Sequence, residues 1–352
     1  MEEVIKVMIL DSPGDIRRVD KSRMLDVLET IPRQAEEGIA IGKKIKASSC
    51  DINKIIIVGM GGSAFTGDLI YVLGRKSIPF PLVVSKTYSL PNFVDEKTLV
   101  MILSYSGNSE EALTAFLAAK ENNAQICSIS SGGHLEDSSI EATWYIKVPG
   151  GLQPRAAVAY LLFPSLFFLH KCKLLNLEKK DLNDSLKVIQ ELYRTINQHV
   201  PTQDNFAKRL AQEILGKTPK IYGHDITSPV ARRWRTQFNE NSKIFAFNDE
   251  VPECNHNEIE SWNEKKHHYY IFLRSKDEIP TVHKRFILMK DLLENVTEIW
   301  ANGKSSLGQM LYLIYLGDYV STYLAVLRGI DPSPVQNIEK IKKRLNVLSS
   351  AV

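Results

Sequence analysis

Residues 54–59 read Lys-Ile-Ile-Ile-Val-Gly, four consecutive β-branched side chains that end on a glycine. A strand with no polar alternation is buried on both faces, which is the mark of a parallel sheet covered by helices on each side. Parallel strands also need long crossover connections, usually helices. This one run therefore constrains the chain to an α/β design. The sequence that follows agrees. After a glycine turn we expect a helix over 63–73, then strands over 82–85 and 98–103. A helix over 110–122 and strands over 125–130 and 143–148 come next. Strands alternating with helices predict a doubly wound layer.

A very apolar helix is expected over 156–169 and a more polar helical crossing over 178–203. A second alternation then begins, with strand 220–222, helix 230–238, strand 244–247 and strand 269–273. Helix 281–293, strand 298–300, helix 307–327 and a last helix over 335–345 complete it. Residues 1–50 read as amphipathic helix, through Met24, Leu25, Val27, Leu28 and Ile31. The predicted fold is α/β, two doubly wound α/β/α sandwiches with central parallel sheets. We divide the chain into an N-terminal helical segment (1–50), a first sandwich (51–175), a helical crossing (176–215) and a second sandwich (216–352). A length of 352 residues suits two domains.

Composition removes other classes. Lys and Arg total 44 against 41 Asp and Glu, a formal charge of +3. That gives no single-sign field of the kind a nucleic-acid binder uses. Cys50, Cys127, Cys172 and Cys254 are too scattered for a disulfide framework, and none forms a C-x-x-C pair. No H-E-x-x-H or grouped Cys/His suggests a metal, so no metal or cofactor is expected. The opening Met-Glu-Glu-Val-Ile-Lys is acidic where a secretory leader would be basic. The uncharged run 305–317 is 13 residues, short of the ~20 that span a bilayer. We expect a cytoplasmic chain without a membrane span, and read 307–327 as a buried core helix.

Two loops carry chemistry. Gly59-Met-Gly61-Gly62-Ser63-Ala64 joins a buried strand to a helix start, where glycines permit close approach and free N–H groups face an anion. It also fits the dinucleotide pattern G-x-G-x-x-A. The second strand, however, ends Val-Val-Ser-Lys, without the acidic residue a ribose needs. Ser104-Tyr105-Ser106-Gly107-Asn108-Ser109 is the second loop, again between strand and helix. Helix capping accounts for Ser109 alone. Three hydroxyls with helix-start amides suit the three terminal oxygens of a phosphate monoester.

These loops together resemble the first sugar-isomerase (SIS) domain of the bifunctional phosphoglucose/phosphomannose isomerases, within the phosphoglucose isomerase superfamily. The resemblance continues through Pro154-Arg155-Ala156-Ala157, Phe238-Asn239-Glu240-Asn241-Ser242-Lys243 and Asn255-His256-Asn257-Glu258-Ile259-Glu260. It reaches Arg328-Gly329-Ile330-Asp331-Pro332 and the helix Ile338–Leu345, in order over nearly the whole chain. It implies two SIS domains and a metal-independent aldose–ketose isomerase that interconverts glucose 6-phosphate and fructose 6-phosphate, and also mannose 6-phosphate. The route is a cis-enediol(ate).

The same resemblance implies roles for single residues. Glu240 matches the proton-shuttling base and His256 the ring-opening acid/base, contributed across a homodimer interface. Lys342 matches the cation near the developing oxyanion, favoured over Lys340 by the register that Ile338 sets. Gly62, Ser63, Ser104, Ser106 and Ser109 would hold the phosphate. Arg155 matches an arginine at the sugar site, with a structural ion pair as its alternative. Two departures stand out: Ser109 replaces the more usual Thr, and Val335 stands where some dual-specificity members carry Thr. A non-catalytic SIS-domain phosphosugar-binding regulator is the main rival, and another SIS isomerase, such as one for amino-sugar phosphates, is the third reading. Cys254 near His256 reads as a small buried residue rather than a redox liability.

Overall fold

The computed structural model describes residues 9–48, 50–262 and 267–349. The acidic opening, within 1–8, lies outside them. Among the described residues, nine strands form two sheets: β1 (Lys54–Val58), β2 (Leu82–Ser85), β3 (Thr98–Leu103), β4 (Gln125–Ser130), β5 (Trp144–Lys147), β6 (Thr218–Gly223), β7 (Phe247–Glu250), β8 (His268–Arg274) and β9 (Val296–Trp300). The first sheet has the order β2-β1-β3-β4-β5 and the second β7-β6-β8-β9. All pairings are parallel, in register as Ile57 with Val84 and Met101, and Ile221 with Asn248 and Ile271.

Helices of nine or more residues are α1 (Ile31–Lys44), α2 (Gly62–Gly74), α3 (Glu110–Glu121), α4 (Val158–Lys171), α5 (Lys179–Ile196), α6 (Phe206–Ile214), α7 (Ser228–Gln237), α8 (Pro280–Leu292), α9 (Ser306–Leu327) and α10 (Gln336–Ser349). Alternate residues of each central strand enter different cores, as strand geometry requires. Ile56, Val58, Val100 and Ile102 pack with Ala112 and Phe116 of α3. Tyr222, Tyr270 and Phe272 pack with Phe286 and Met289 of α8. Ile55, Ile57, Met101, Ile221, Ile271 and Leu273 face one shared core that both halves build with α4, α6 and α9.

Helix α9 is 22 residues and apolar enough by itself to cross a membrane, but 94% of its apolar window is buried inside the protein. A Cβ at Gly317 would lie 2.3 Å from the Trp234 indole nitrogen, so glycine lets α7 approach α9 directly.

Among the described residues the N-terminal segment is helical as expected, in pieces: turns separate Pro13–Val19, Met24–Glu29 and α1, with Arg23 at φ 59° capping the second. Two expectations need adjustment. The strand expected over 244–247 lies at Phe247–Glu250. Lys243 at φ 55° ends the preceding helical turn, and the chain needs residues 244–246 to reach the edge of β6. The apolar helix starts at Val158 rather than 156, because Pro154–Ala156 form a separate 3-10 turn.

Candidate active site

Strands β1 and β3 sit side by side at the centre of their sheet, and the order reverses between them. The crevice beyond the carboxyl ends of strands at such a switch point is where open α/β sheets bind ligands. Both loops singled out from sequence lie there. Gly61, at φ 54°, turns the chain into α2. Gly107 has φ 70°, and a Cβ there would lie 1.7 Å from the Gly132 carbonyl oxygen, so only glycine fits. Buried Ser104 and half-buried Ser109 bring their hydroxyls within 3.0 Å of each other. Ser109 occupies the N-cap position of α3, yet its hydroxyl meets Ser104 rather than a helix amide. Ser63 Oγ accepts from the Tyr105 amide at 3.3 Å, and exposed Ser106 accepts from Asn108 at 3.3 Å. Both loops stand between a strand and a helix, as expected from sequence.

The first loop rests on the 3-10 turn that carries Arg155. A Cβ on Gly62 would lie 3.0 Å from the Pro154 carbonyl oxygen and 3.2 Å from Arg155 Cα. Arg155 is 4% exposed. Its Nε donates to Asn241 Oδ1 at 2.8 Å, and Nη2 donates to the carbonyls of Pro332 (3.0 Å) and Ser333 (2.9 Å). Nη1 reaches Glu240 Oε2 at 3.4 Å. Burial holds this guanidinium below its ordinary value, with the Glu240 carboxylate opposing. Most of its donors are committed within the protein, so Arg155 ties the Glu240 turn to the segment before α10.

Glu240 itself stands on a π-helical turn, Phe238–Ser242, that continues α7. Such turns widen a helix and are frequent at functional sites. Asn241 donates to Ser321 Oγ at 3.0 Å and Ser242 to the Ser321 carbonyl at 2.5 Å. Beneath them Arg233 clamps Asp318 through two bonds of 3.0 and 2.8 Å, and Gln237 adds a third at 2.8 Å. Arg233 also donates to the Arg155 carbonyl at 2.7 Å. Burial pushes the Asp318 carboxyl up, and Arg233 opposes it. The Glu240 side chain is 27% exposed and borders a cavity of about 550 Å³. Asn239, Lys243, Ile330, Asp331, Val335 and the first turn of α10 complete its wall. The volume suits a small ligand.

His256 and Lys342 do not line the Glu240 cavity. His256 ends a 3-10 turn, Glu253–His256, is exposed, and does not border the Glu240 cavity. Its turn is anchored two residues on, where Glu258 accepts from Tyr222 Oη at 2.8 Å and Lys220 Nζ at 3.2 Å. Lys342 is exposed on α10, beyond the turn that borders the cavity. Within one chain, the first loop is therefore linked to Glu240 through Gly62 and the Arg155 turn, while His256 and Lys342 do not border the cavity.

Residues 50–140 match the SIS domain, and residues 203–345 match the bacterial phospho-glucose isomerase C-terminal SIS domain. A bifunctional phosphoglucose/phosphomannose isomerase of Caldicellulosiruptor bescii is 38% identical over 92% of this chain and 98% of its own length. The enzyme of that name from Thermoplasma acidophilum is 34% identical over 84% of this chain and 90% of its own. The chain belongs to the bifunctional phosphoglucose/phosphomannose isomerase family. A glucose-6-phosphate isomerase-like protein from Thermus thermophilus shares the fold, with a TM-score of 0.64 at 18% identity, covering 94% of this chain and 99% of that one.

Several residues of this family member escaped sequence reading. Lys243 donates to the Glu240 carbonyl and, at 3.0 Å, to that of Pro332. Ser333 and Asn241 receive Arg155, and Asp318 anchors Arg233. The one available signal was Asp318, a carboxylate in the middle of an apolar helix, which has to find a buried partner.

Proposed function

We propose that the chain interconverts glucose 6-phosphate, fructose 6-phosphate and mannose 6-phosphate by proton transfer through a cis-enediol(ate). One observation carries this reading: Arg155 and its turn place the glycine–serine loop and Glu240 on the same buried tie. Gly62 packs against the Arg155 turn, and Arg155 reaches the Glu240 carboxylate at 3.4 Å. In the reading, Gly62, Ser63, Ser104, Ser106 and Ser109 receive the phosphate, with α2 and α3 presenting their N-terminal amides. Glu240 takes the proton from C2 of the open-chain aldose and returns it to C1. His256 of the partner subunit moves the proton between the ring oxygen and the O1 hydroxyl that opens the sugar. Its exposed place outside the wall of the Glu240 cavity supports a donor from a second copy. Lys342 stands by the charge that develops on oxygen. Glucose and mannose differ at C2, which is planar in the enediolate, so one base serves both when C2–C3 rotates. The divisions at 51–175, 176–215 and 216–352 belong to this reading.

A coupled assay with the three hexose 6-phosphates tests it. Turnover of all three is expected, and Glu240→Gln should lower kcat by about 10³-fold or more while a phosphosugar still binds. Near wild-type turnover in that variant would remove Glu240 as the base. No turnover of any sugar by the wild-type chain would turn the reading to a phosphosugar-binding regulator.

A further inference from the structure

Two thiols stand together far from this chemistry. Cys50, half-buried, lies between α1 and β1, and Cys172, 2% exposed, follows the last residue of α4. They are 122 positions apart in sequence, with Sγ atoms 3.0 Å apart. A disulfide bond is about 2.05 Å long, so a shift of about 1 Å joins them. The hydrogen bond between the two favours the Cys50 thiolate, against burial, and pushes the Cys172 thiol up. Cys50 is thus the more exposed and the more readily ionised of the two, the properties of an attacking thiol. Cys127 on β4 is fully buried and pushed well above its ordinary value, and Cys254 up to about 12. Neither has that character.

We propose that Cys50 and Cys172 are a redox modification site that closes to a disulfide in the presence of a peroxide. The Cys50 thiolate attacks one peroxide oxygen, the O–O bond breaks, and the departing hydroxide takes up a proton to become water. The resulting sulfenic acid is attacked by Cys172 sulfur, an S–S bond forms, and a second water leaves. Two thiols are oxidised and one hydrogen peroxide is reduced to two waters.

The position of the bond decides its effect. β1 begins just after Cys50 and delivers the Gly59–Ser63 loop at its other end. α4 begins just after the Arg155 turn and ends at Cys172, about 21 Å away along its axis. The bond therefore ties two site-bearing elements at the ends remote from the site. It closes a long loop, which constrains the unfolded chain most. It stabilises the protein and leaves the reaction alone.

The purified full chain, treated with hydrogen peroxide, is the test. Peptide mass spectrometry without reductant should find Cys50 and Cys172 joined, two hydrogens lighter and released by dithiothreitol. Tm should rise by about 5 °C, with activity within twofold of the reduced chain. Cys50→Ser and Cys172→Ser should each abolish the shift, and Cys127→Ser should keep it. Over-oxidation of Cys50 without a cross-link, or a bond to Cys127 or between chains, would overturn the proposal. An unchanged Tm in the cross-linked protein would overturn the stabilising role.

Discussion

The two halves of the site handle charge in opposite ways. Ser104–Ser109 contains no lysine or arginine, and its hydroxyls and amides are set by strand ends and by Gly107. The Glu240 turn is held by ions taken out of water: Arg155 is 4% exposed, and the Arg233–Asp318 pair is 3% and 1% exposed. A phosphate carries its charge at all times, so dipoles placed by the backbone are enough to bind it. A carboxylate that moves a proton between neighbouring carbons must be held in place to within a fraction of an ångström. Buried, directional charge-assisted bonds supply that placement. In the proposed mechanism, positioning rather than neutralisation is what the buried charges contribute.

Breaking the buried half should have the largest effect. Arg155→Met leaves Asn241, Pro332 and Ser333 without a donor, and we expect a stability loss of about 3–5 kcal/mol. At a temperature where the variant is folded, kcat should fall by about 10²-fold with KM little changed. Lost stability with normal kcat would make Arg155 a purely structural tie.

The crossing between the halves offers a titration. Lys208 Nζ donates to the carbonyls of Leu10, Gln198 and Val200, and burial pulls it from 10.5 down to about 8. Between those values the unfolded chain holds the proton and the native chain does not. Stability should therefore rise with pH across that window, by on the order of 2–3 kcal/mol. Denaturant titrations at a series of pH values measure the slope, and Lys208→Met should flatten it. The serine loop's own titratable group, Tyr105, is pushed up by burial and so works in the opposite direction.

A smaller effect is expected in the neutral half. Ser104→Ala removes one hydroxyl and should raise KM by about tenfold with kcat nearly constant. A collapse of kcat instead would mean that the serines position the sugar as well as bind its phosphate. The smallest effect belongs to Val335 on the cavity wall. Val335→Thr should shift the mannose-to-glucose 6-phosphate activity ratio by about two- to fivefold, read from parallel assays.

Much of this was legible in advance where local chemistry governs. The strands at 54–58 and 98–103 stand where apolar runs placed them, because burial on both faces leaves no alternative pattern. The serine and glycine loops were legible because a strand-to-helix turn at a sheet edge is set by a few adjacent residues. The edge strand β7 was displaced because a π turn and a left-handed Lys243 use up residues that an apolar pattern assigns to the strand.

By itself the sequence determined the α/β class, the parallel strands, the glycine and serine loops between strand and helix, and the family motifs, all written within short stretches of chain. Only the tertiary structure decided that Arg155 spends its donors on Asn241, 86 positions away, and on Ser333, 178 positions away. It alone decided that Ser109 faces Ser104, and that Cys50 meets Cys172. Those contacts depend on how sheets and helices stack, and packing of distant segments leaves no periodic trace in the chain that makes them.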